Sequence, residues 1–308
     1  SWPGWRGLTQ PNCPRSGEQG RSARVSHKTV FVLSGGASLG ASQVGMLQAL
    51  AEREIQPDLL IGTSAGALNA AFIAGHPFTP QTVKSLATLW RGISVLSVFP
   101  PDPAALLKSI LGRSGALCSN RGLRSLIEQN LTFTNLEDAP IPCKMVATNF
   151  LTGQEVVLST GKAADAVLAS AAIPGIFPPI HREGMVLMDG GLANNTAVSH
   201  AVEVQPDTVY VLPSGYSCAL KSVPRTPLGV AVHAMTILIH QRLIMDLTRY
   251  ADQTQLIVLP PPCPISVSPA NFGRSEELME AAYAEASRTL DLAPETTHPA
   301  QRIDFHQH

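Results

Sequence analysis

Thr29-Val30-Phe31-Val32-Leu33-Ser34-Gly35-Gly36-Ala37-Ser38-Leu39-Gly40 and Leu59-Leu60-Ile61-Gly62-Thr63-Ser64-Ala65-Gly66 decide the fold. Each opens as a short, continuous apolar run, the pattern of a strand covered on both faces, and each ends in a glycine-rich turn. Behind the first turn, Val44, Leu47, Ala49, Leu50 and Ala51 recur at helical spacing. Behind the second, small residues continue to about Ala74. Two strand–turn–helix units in about fifty residues form a βαβ opening, and that predicts an α/β sheet with parallel strands.

Working outward, the pattern predicts helices over about 79–91, 103–111 and 120–131, with Ser119 or Asn120 as N-cap of the last. Strands are expected at 143–148 and 155–159, joined around Thr152-Gly153, then at 185–188, 209–212 and 256–259. Short and long helices are expected at 165–172, 228–250 and 275–290. The stretch Leu228 to Met245 is strongly apolar, but His233, His240, Gln241 and Arg242 interrupt it, so no membrane span is predicted. It reads as a core helix packed on the sheet, with an interfacial, lipid-facing role as the alternative. Residues 1–27, rich in Pro, Gly, Arg and Ser, are expected to form a disordered leader without a secretory h-region, and 293–308 a loose tail. One domain is expected over 28–292.

Composition narrows the function. The 308 residues are 44% hydrophobic and only 15% charged, and 22 Lys and Arg stand against 23 Asp and Glu. A net charge of −1 without a basic run excludes the electrostatic footprint of a nucleic-acid binder. The five cysteines (Cys13, Cys118, Cys143, Cys218, Cys263) are scattered, with no C-x-x-C pair. That spacing predicts reduced thiols and no zinc site.

Three segments carry chemistry. In Gly62-Thr63-Ser64-Ala65-Gly66, a tight strand-to-helix turn would push Ser64 into strained geometry and project its hydroxyl as an acyl-transfer nucleophile. Gly62 and Gly66 would be needed because side chains there collide across the turn. The helix behind Ser64 directs its positive end and free N–H groups, Ala65 included, at the reacting centre. The loop Gly35-Gly36-Ala37-Ser38-Leu39-Gly40 lacks both the G-x-G-x-x-G spacing and a Walker G-K-[ST]. Its backbone N–H groups suit an anion, and beside a nucleophile that anion is the oxygen of a tetrahedral intermediate. Asp189-Gly190-Gly191 reads alone as a hairpin turn, yet beside a serine nucleophile its carboxylate is a candidate base.

With these motifs in this order, the chain resembles the patatin-like phospholipases, serine lipid acyl hydrolases, over about residues 29–290. The runs Gln43-Val44-Gly45-Met46-Leu47 and Ala169-Ser170-Ala171-Ala172-Ile173-Pro174 also look like the bacterial members. The resemblance implies a three-layer α/β/α sandwich with a mostly parallel central sheet. It further implies a dyad of Ser64 and Asp189 without histidine, hydrolysis of fatty acyl esters, and neither metal nor cofactor. Oxyanion donors are expected at Gly36 and Ala37, helped by Gly35 and Ala65, with Gly40, Gly190 and Gly191 as motif glycines. Two positions depart from the family loop. Ala37 replaces its third glycine, where a Cβ penalises positive φ. Leu39 replaces its cationic residue, which favours a neutral or loosely selected acyl ester over an anionic phospholipid head group.

Alternatives follow from the same residues. The acyl-enzyme would also support transfer to an alcohol or lipid acceptor, and a chain keeping the fold without turnover would be a lipid-binding scaffold. His200 satisfies a Ser–Asp–His order on paper, but His181 and His200 read better as scaffold or surface residues. Asn194 and Asn195 are expected to cap or turn into the helix after Asp189. The segment 95–117, with Val98, Phe99, Leu106, Leu107 and Ile110, would serve as an apolar cap or as ordinary helix packing. With neither a signal peptide nor a transmembrane segment predicted, a cytoplasmic location is expected, and the low charged fraction fits peripheral contact with lipid at an interface.

Overall fold

A computed structural model describes residues 29–100, 102–103, 107, 111–112, 115–215, 223, 225–263 and 267–292. The expected leader and tail, and most of the expected helix 103–111, lie outside these residues. Four parallel neighbours flank the opening strand β1 (Thr29–Leu33) in the order β3-β2-β1-β7-β8. Here β2 is Leu59–Thr63, β3 Cys143–Asn149, β7 Thr208–Leu212 and β8 Gln255–Val258. Two antiparallel strands join β3, namely β4 (Glu155–Leu158) and β6 (Met185–Asp189), and β5 (Ile180–Arg182) pairs antiparallel with β6. The three-residue strand β5 has no apolar pattern of its own and was not legible in the sequence; it is held as the hairpin partner of β6.

Alternation along β1 divides the interior. Phe31 and Leu33 face a core built with α1 (Ser42–Glu52), α2 (Ala65–Ala74) and α3 (Pro80–Gly92). Val30 and Val32 face a second core with the helices Val198–Val202 and Pro227–Tyr250. Side chains two apart share a face of a strand, so a run apolar at every position must be covered twice. The molecule is accordingly a three-layer α/β/α sandwich.

Four expectations are corrected. The helix Pro227–Tyr250 enters the core in its second half, where Leu243 and Leu247 are buried. Val230, Met235, Ile237 and Leu238 in the first half are exposed, Leu238 by 64%. A helix of 24 residues is ~36 Å long, whereas five-residue strands span ~17 Å, so half of it overhangs the layer it packs on. Asn120 occupies the N-cap of helix Arg121–Asn130, but its side chain makes no capping hydrogen bond. Neither Asn194 nor Asn195 caps a helix start; both lie at the end of the short helix Gly191–Asn194 and bond elsewhere. Cys118 and Cys143 are free thiols, but Cys263 is disulfide-bonded, a pairing set by Cα proximity that scattered spacing does not reveal.

The helix Ser275–Asp291 lies against α1 at Gly45, where an added Cβ would sit 2.1 Å from the Met279 carbonyl oxygen. Alanine at Gly45 gains ~1 kcal/mol of helix propensity. Two backbones must separate to admit it, however, and overpacking of this kind costs ~1–3 kcal/mol. Gly45→Ala is therefore expected to destabilise the fold by about 1–2 kcal/mol in urea unfolding, and an increase in stability would show that the helices are not in backbone contact.

Candidate active site

The sheet explains why two residues 125 positions apart meet. Strand β2 runs parallel to β3 and pairs Leu60–Thr63 with Cys143–Val146. Strand β6 runs antiparallel and pairs Leu187–Asp189 with Asn149–Ala147. The pairing of β4 with Met145–Thr148 overlaps both, and a strand has only two edges, so β2 and β6 share the other one. They end against adjacent residues, Thr63 opposite Val146 and Asp189 opposite Ala147. The residue after Thr63 must then face the last residue of β6. Ser64 Oγ donates to Asp189 Oδ2 at 2.6 Å.

Ser64 is the N-cap residue of α2, with φ 54° and ψ −119°. That conformation is strained for a residue with a side chain, at a cost of ~1–3 kcal/mol. Close packing enforces it. A Cβ on Gly66 would lie 2.2 Å from the Leu33 carbonyl oxygen, and one on Gly62 2.5 Å from the Gly66 carbonyl oxygen. The Ser64 N–H donates to Ser170 Oγ at 2.9 Å, and Ser170 Oγ donates to the Val146 carbonyl at 2.5 Å. Ser170 thereby ties the turn to β3 from the helix Ala163–Ser170.

Asp189 is buried, and both carboxyl oxygens are engaged, Oδ2 by Ser64 and Oδ1 by the Gly191 N–H at 2.8 Å. Burial pushes its pKa up to about 6, and the two hydrogen bonds pull against that rise. Gly190 carries no side chain because a Cβ there would lie 2.2 Å from the Val146 carbonyl oxygen.

The glycine loop follows β1, which has β2 on one side and the much later strand β7 on the other; such switch points open crevices at the carboxyl ends of parallel strands. A 3₁₀ turn, Ala37–Ala41, begins there. Ala37 holds φ 50°, the positive value that its Cβ penalises. Leu39 turns into the apolar core. Beneath the loop runs a buried polar chain. Trp90 Nε1 donates to Asn69 Oδ1, Asn69 Nδ2 to the Gly40 carbonyl and to Gln43 Oε1, and Gln43 Nε2 to the Ser34 and Leu212 carbonyls.

Ser64 lines a narrow apolar cavity. Its walls include Ala37, Leu68, Trp90, Val98, Leu126 and Val167. Phe99 stacks on Phe177 with centroids 5.2 Å apart, and both line it. Of the segment expected as a cap, Val98 and Phe99 thus reach the cavity, Leu107 is exposed, and Leu106 and Ile110 lie outside the described residues.

The remaining candidates sit elsewhere. His200 Nε2 bonds Glu155 at 2.7 Å and Nδ1 bonds Glu203 at 3.0 Å, while His181 lies exposed on β5. Burial pushes the Cys143 thiol up to about 12, away from thiolate chemistry. Among the described residues no group of three His, Cys, Asp or Glu side chains is arranged to hold a metal ion, and no helix is long and apolar enough to cross a membrane. Sequence reasoning missed Gln43, Asn69, Ser170 and Ser214. For Asn69 the available signal was a lone amide interrupting an apolar helix, since a buried amide must find partners.

Residues 31–202, more than half of the chain, match the family model described as patatin-like phospholipase. Patatin-like phospholipase domain-containing protein 7 of Rattus norvegicus is 30% identical over 188 residues, which are 59% of this chain and 13% of that protein. Lysophospholipase NTE1 of Pyricularia oryzae is 28% identical over 214 residues, 67% of this chain and 13% of that one. An uncharacterized NTE family protein of Mycobacterium tuberculosis is 29% identical over 165 residues, 54% of this chain and 26% of that one. The chain thus spans only a small part of the length of these relatives. Among solved structures, VipD from Legionella pneumophila aligns with a TM-score of 0.46 at 17% identity, over 86% of this chain and 67% of that one. By the match of its central 31–202 segment, the chain belongs to the patatin-like phospholipase family.

Proposed function

We propose that the chain is a serine acyl hydrolase of fatty acyl esters, working through Ser64 and Asp189 and a covalent acyl-enzyme. The observation that carries this reading is the 2.6 Å hydrogen bond from Ser64 Oγ, a residue that lines an apolar cavity, to the buried carboxyl of Asp189. Ser64 Oγ attacks the ester carbonyl carbon while its proton passes to Asp189 Oδ2. The oxygen of the tetrahedral intermediate becomes an anion facing the Gly36 and Ala37 N–H groups and the start of α2. Collapse breaks the bond to the alcohol, which leaves with the proton held on Asp189. Water then attacks the acyl carbon, gives a proton to Asp189, and the second collapse returns that proton to Ser64 and frees the fatty acid. The names of the relatives, phospholipase and lysophospholipase, support a lipid ester as substrate. Leu39, turned into the core, brings no cation to the loop, which favours a neutral or loosely selected head group. The exposed apolar overhang of Pro227–Tyr250 supports peripheral contact with lipid.

A fluorophosphonate probe is expected to label the wild type, and labelling should vanish in Ser64→Ala and fall at least 100-fold in rate in Asp189→Asn. Persistent labelling of Ser64→Ala would remove the proposed nucleophile. Each methylene taken into the cavity contributes ~0.8 kcal/mol, a factor of ~4. For p-nitrophenyl esters kcat/KM should therefore climb about fourfold per methylene until the cavity fills. Leu126→Trp, placed on the half-buried wall, is expected to end that climb at shorter chains; an unchanged profile would place the acyl chain elsewhere.

The pH dependence has two opposite signs. Asp189 accepts a proton only when ionised, so kcat/KM is expected to fall as pH drops through about 6. Stability moves the other way, because the folded state holds this proton more tightly than the unfolded chain does. It is lost as pH rises from ~3.9 to about 6, and the ionised, buried carboxyl then costs about 3 kcal/mol at pH 7. Asp189→Asn should accordingly melt higher than the wild type at pH 7 and lose that advantage near pH 4. A variant that melts lower at both values would mean the carboxylate is not paying a desolvation cost.

A further inference from the structure

The geometry points to Ser214 and Asn195 as positioning residues that aim the oxyanion donor of the glycine loop by clamping the carbonyl of Gly35. This rests on the reading of Ser64 as nucleophile. Three donors converge on that one oxygen: Ser214 Oγ at 2.6 Å, Asn195 Nδ2 at 3.2 Å and Ser34 Oγ at 3.3 Å. The Gly35 N–H in turn donates to the Asn195 carbonyl at 3.2 Å, so Asn195 grips both ends of the residue.

The clamp is itself anchored. Ser214 is fully buried, its N–H donates to Ser34 Oγ at 2.7 Å, and its carbonyl accepts from Ser42 Oγ at 3.2 Å. It follows β7, and Asn195 follows the helix after β6, so two strand ends converge on the loop that follows β1. Contact is close enough to require glycine. A Cβ on Gly36 would lie 2.0 Å from Ser214 Oγ, and one on Gly35 2.5 Å from Asn195 Oδ1 and 2.9 Å from Ser64 Cβ.

A single donor suffices to satisfy a buried carbonyl, so convergence of three calls for a further reason. The Gly35 carbonyl and the Gly36 N–H belong to one planar trans peptide and point in opposite directions. Holding the oxygen against Ser214 and Asn195 fixes the N–H within that plane, pointing the opposite way across the C–N bond. Hydrogen bonds to a carbonyl also polarise its peptide, strengthening the attached N–H as a donor by roughly 10–30% per bond. Among the described residues, neither the Gly36 nor the Ala37 N–H has an intramolecular acceptor, and both residues are only half-buried.

The test uses the full chain with a short-chain p-nitrophenyl ester, a trifluoromethyl ketone of the same acyl chain, and the uncharged fatty alcohol of that chain length, bound in the absence of ester. The ketone adds to Ser64 and places an oxyanion at the loop, whereas the alcohol carries no anion and reports ground-state binding of the chain. Ser214→Ala and Asn195→Ala are each expected to lower kcat about tenfold with KM within twofold. Ketone affinity should fall in parallel, fatty alcohol affinity should hold, and the acid limb near pH 6 should stay in place. Ser214→Thr, which keeps the hydroxyl, should recover most of the loss, and Asn195→Ala reads the clamp independently should Ser214→Ala fold poorly. An unchanged kcat in Asn195→Ala, or a fatty alcohol affinity that falls as far as that of the ketone, would overturn the clamp while Ser64→Ala remains inactive. Activity that survives in Ser64→Ala would instead overturn the nucleophile, and the clamp with it.

Discussion

One edge of strand β3 is shared by two strands running in opposite directions, and the candidate site depends on that sharing. The parallel strand β2 delivers the backbone to Thr63, and the antiparallel strand β6 delivers it to Asp189, one residue further along the same edge. Backbone hydrogen bonds set both positions to within a residue, because a one-residue slip in either strand would turn its side chains to the other face. The close approach of hydroxyl and carboxyl is therefore a matter of sheet register. Packing behind the turn supports it: Gly62, Gly66 and Gly190 each lie where a Cβ would meet backbone within 2.5 Å.

That register places charge and strain where the fold would otherwise avoid them. Asp189 lies in the interior with two donors, fewer than a carboxylate commands in water, and burial outweighs them in setting its pKa near 6. Ser64 and Ala37 both hold positive φ within the same crevice. Three local rules are broken at one point, while the strands and helices around it obey theirs. Concentrated cost of this kind is characteristic of functional sites, since a core selected for stability alone would have relaxed it.

What the sequence made legible was local. β1, β2 and their following turns could be read because a continuous apolar run next to glycine carries its meaning within a dozen residues. The strain at Ser64 and the penalty at Ala37 followed from backbone sterics alone, and the structure shows both as positive φ. Nothing local reports which edge of β3 a later strand will take, so the meeting of Ser64 with Asp189 rested on the order of the motifs. The overhang of Pro227–Tyr250 was hidden for a related reason: hydropathy records that a helix is apolar, and only the length of the layer beneath decides how much of it is covered. Cys263 and Ser214 are similar cases, in which an ordinary residue acquires its role from a neighbour distant in sequence.

The cavity and the glycine loop are two ends of one buried structure. Trp90 lines the cavity, and its indole N–H begins the chain of amides that ends on the carbonyls of Ser34 and Leu212. Each link donates or accepts at 2.8–2.9 Å, and Asn69 and Gln43 are fully buried, so no water stands ready to replace a broken bond. Moving Trp90 would thus leave an amide unsatisfied at a cost of ~1–3 kcal/mol. The wall that would meet an acyl chain and the loop that would meet its carbonyl oxygen are held in register by the same hydrogen bonds. An enzyme that must place an ester carbon within reach of one hydroxyl needs that correlation, and a purely apolar contact between wall and loop would be too non-directional to supply it.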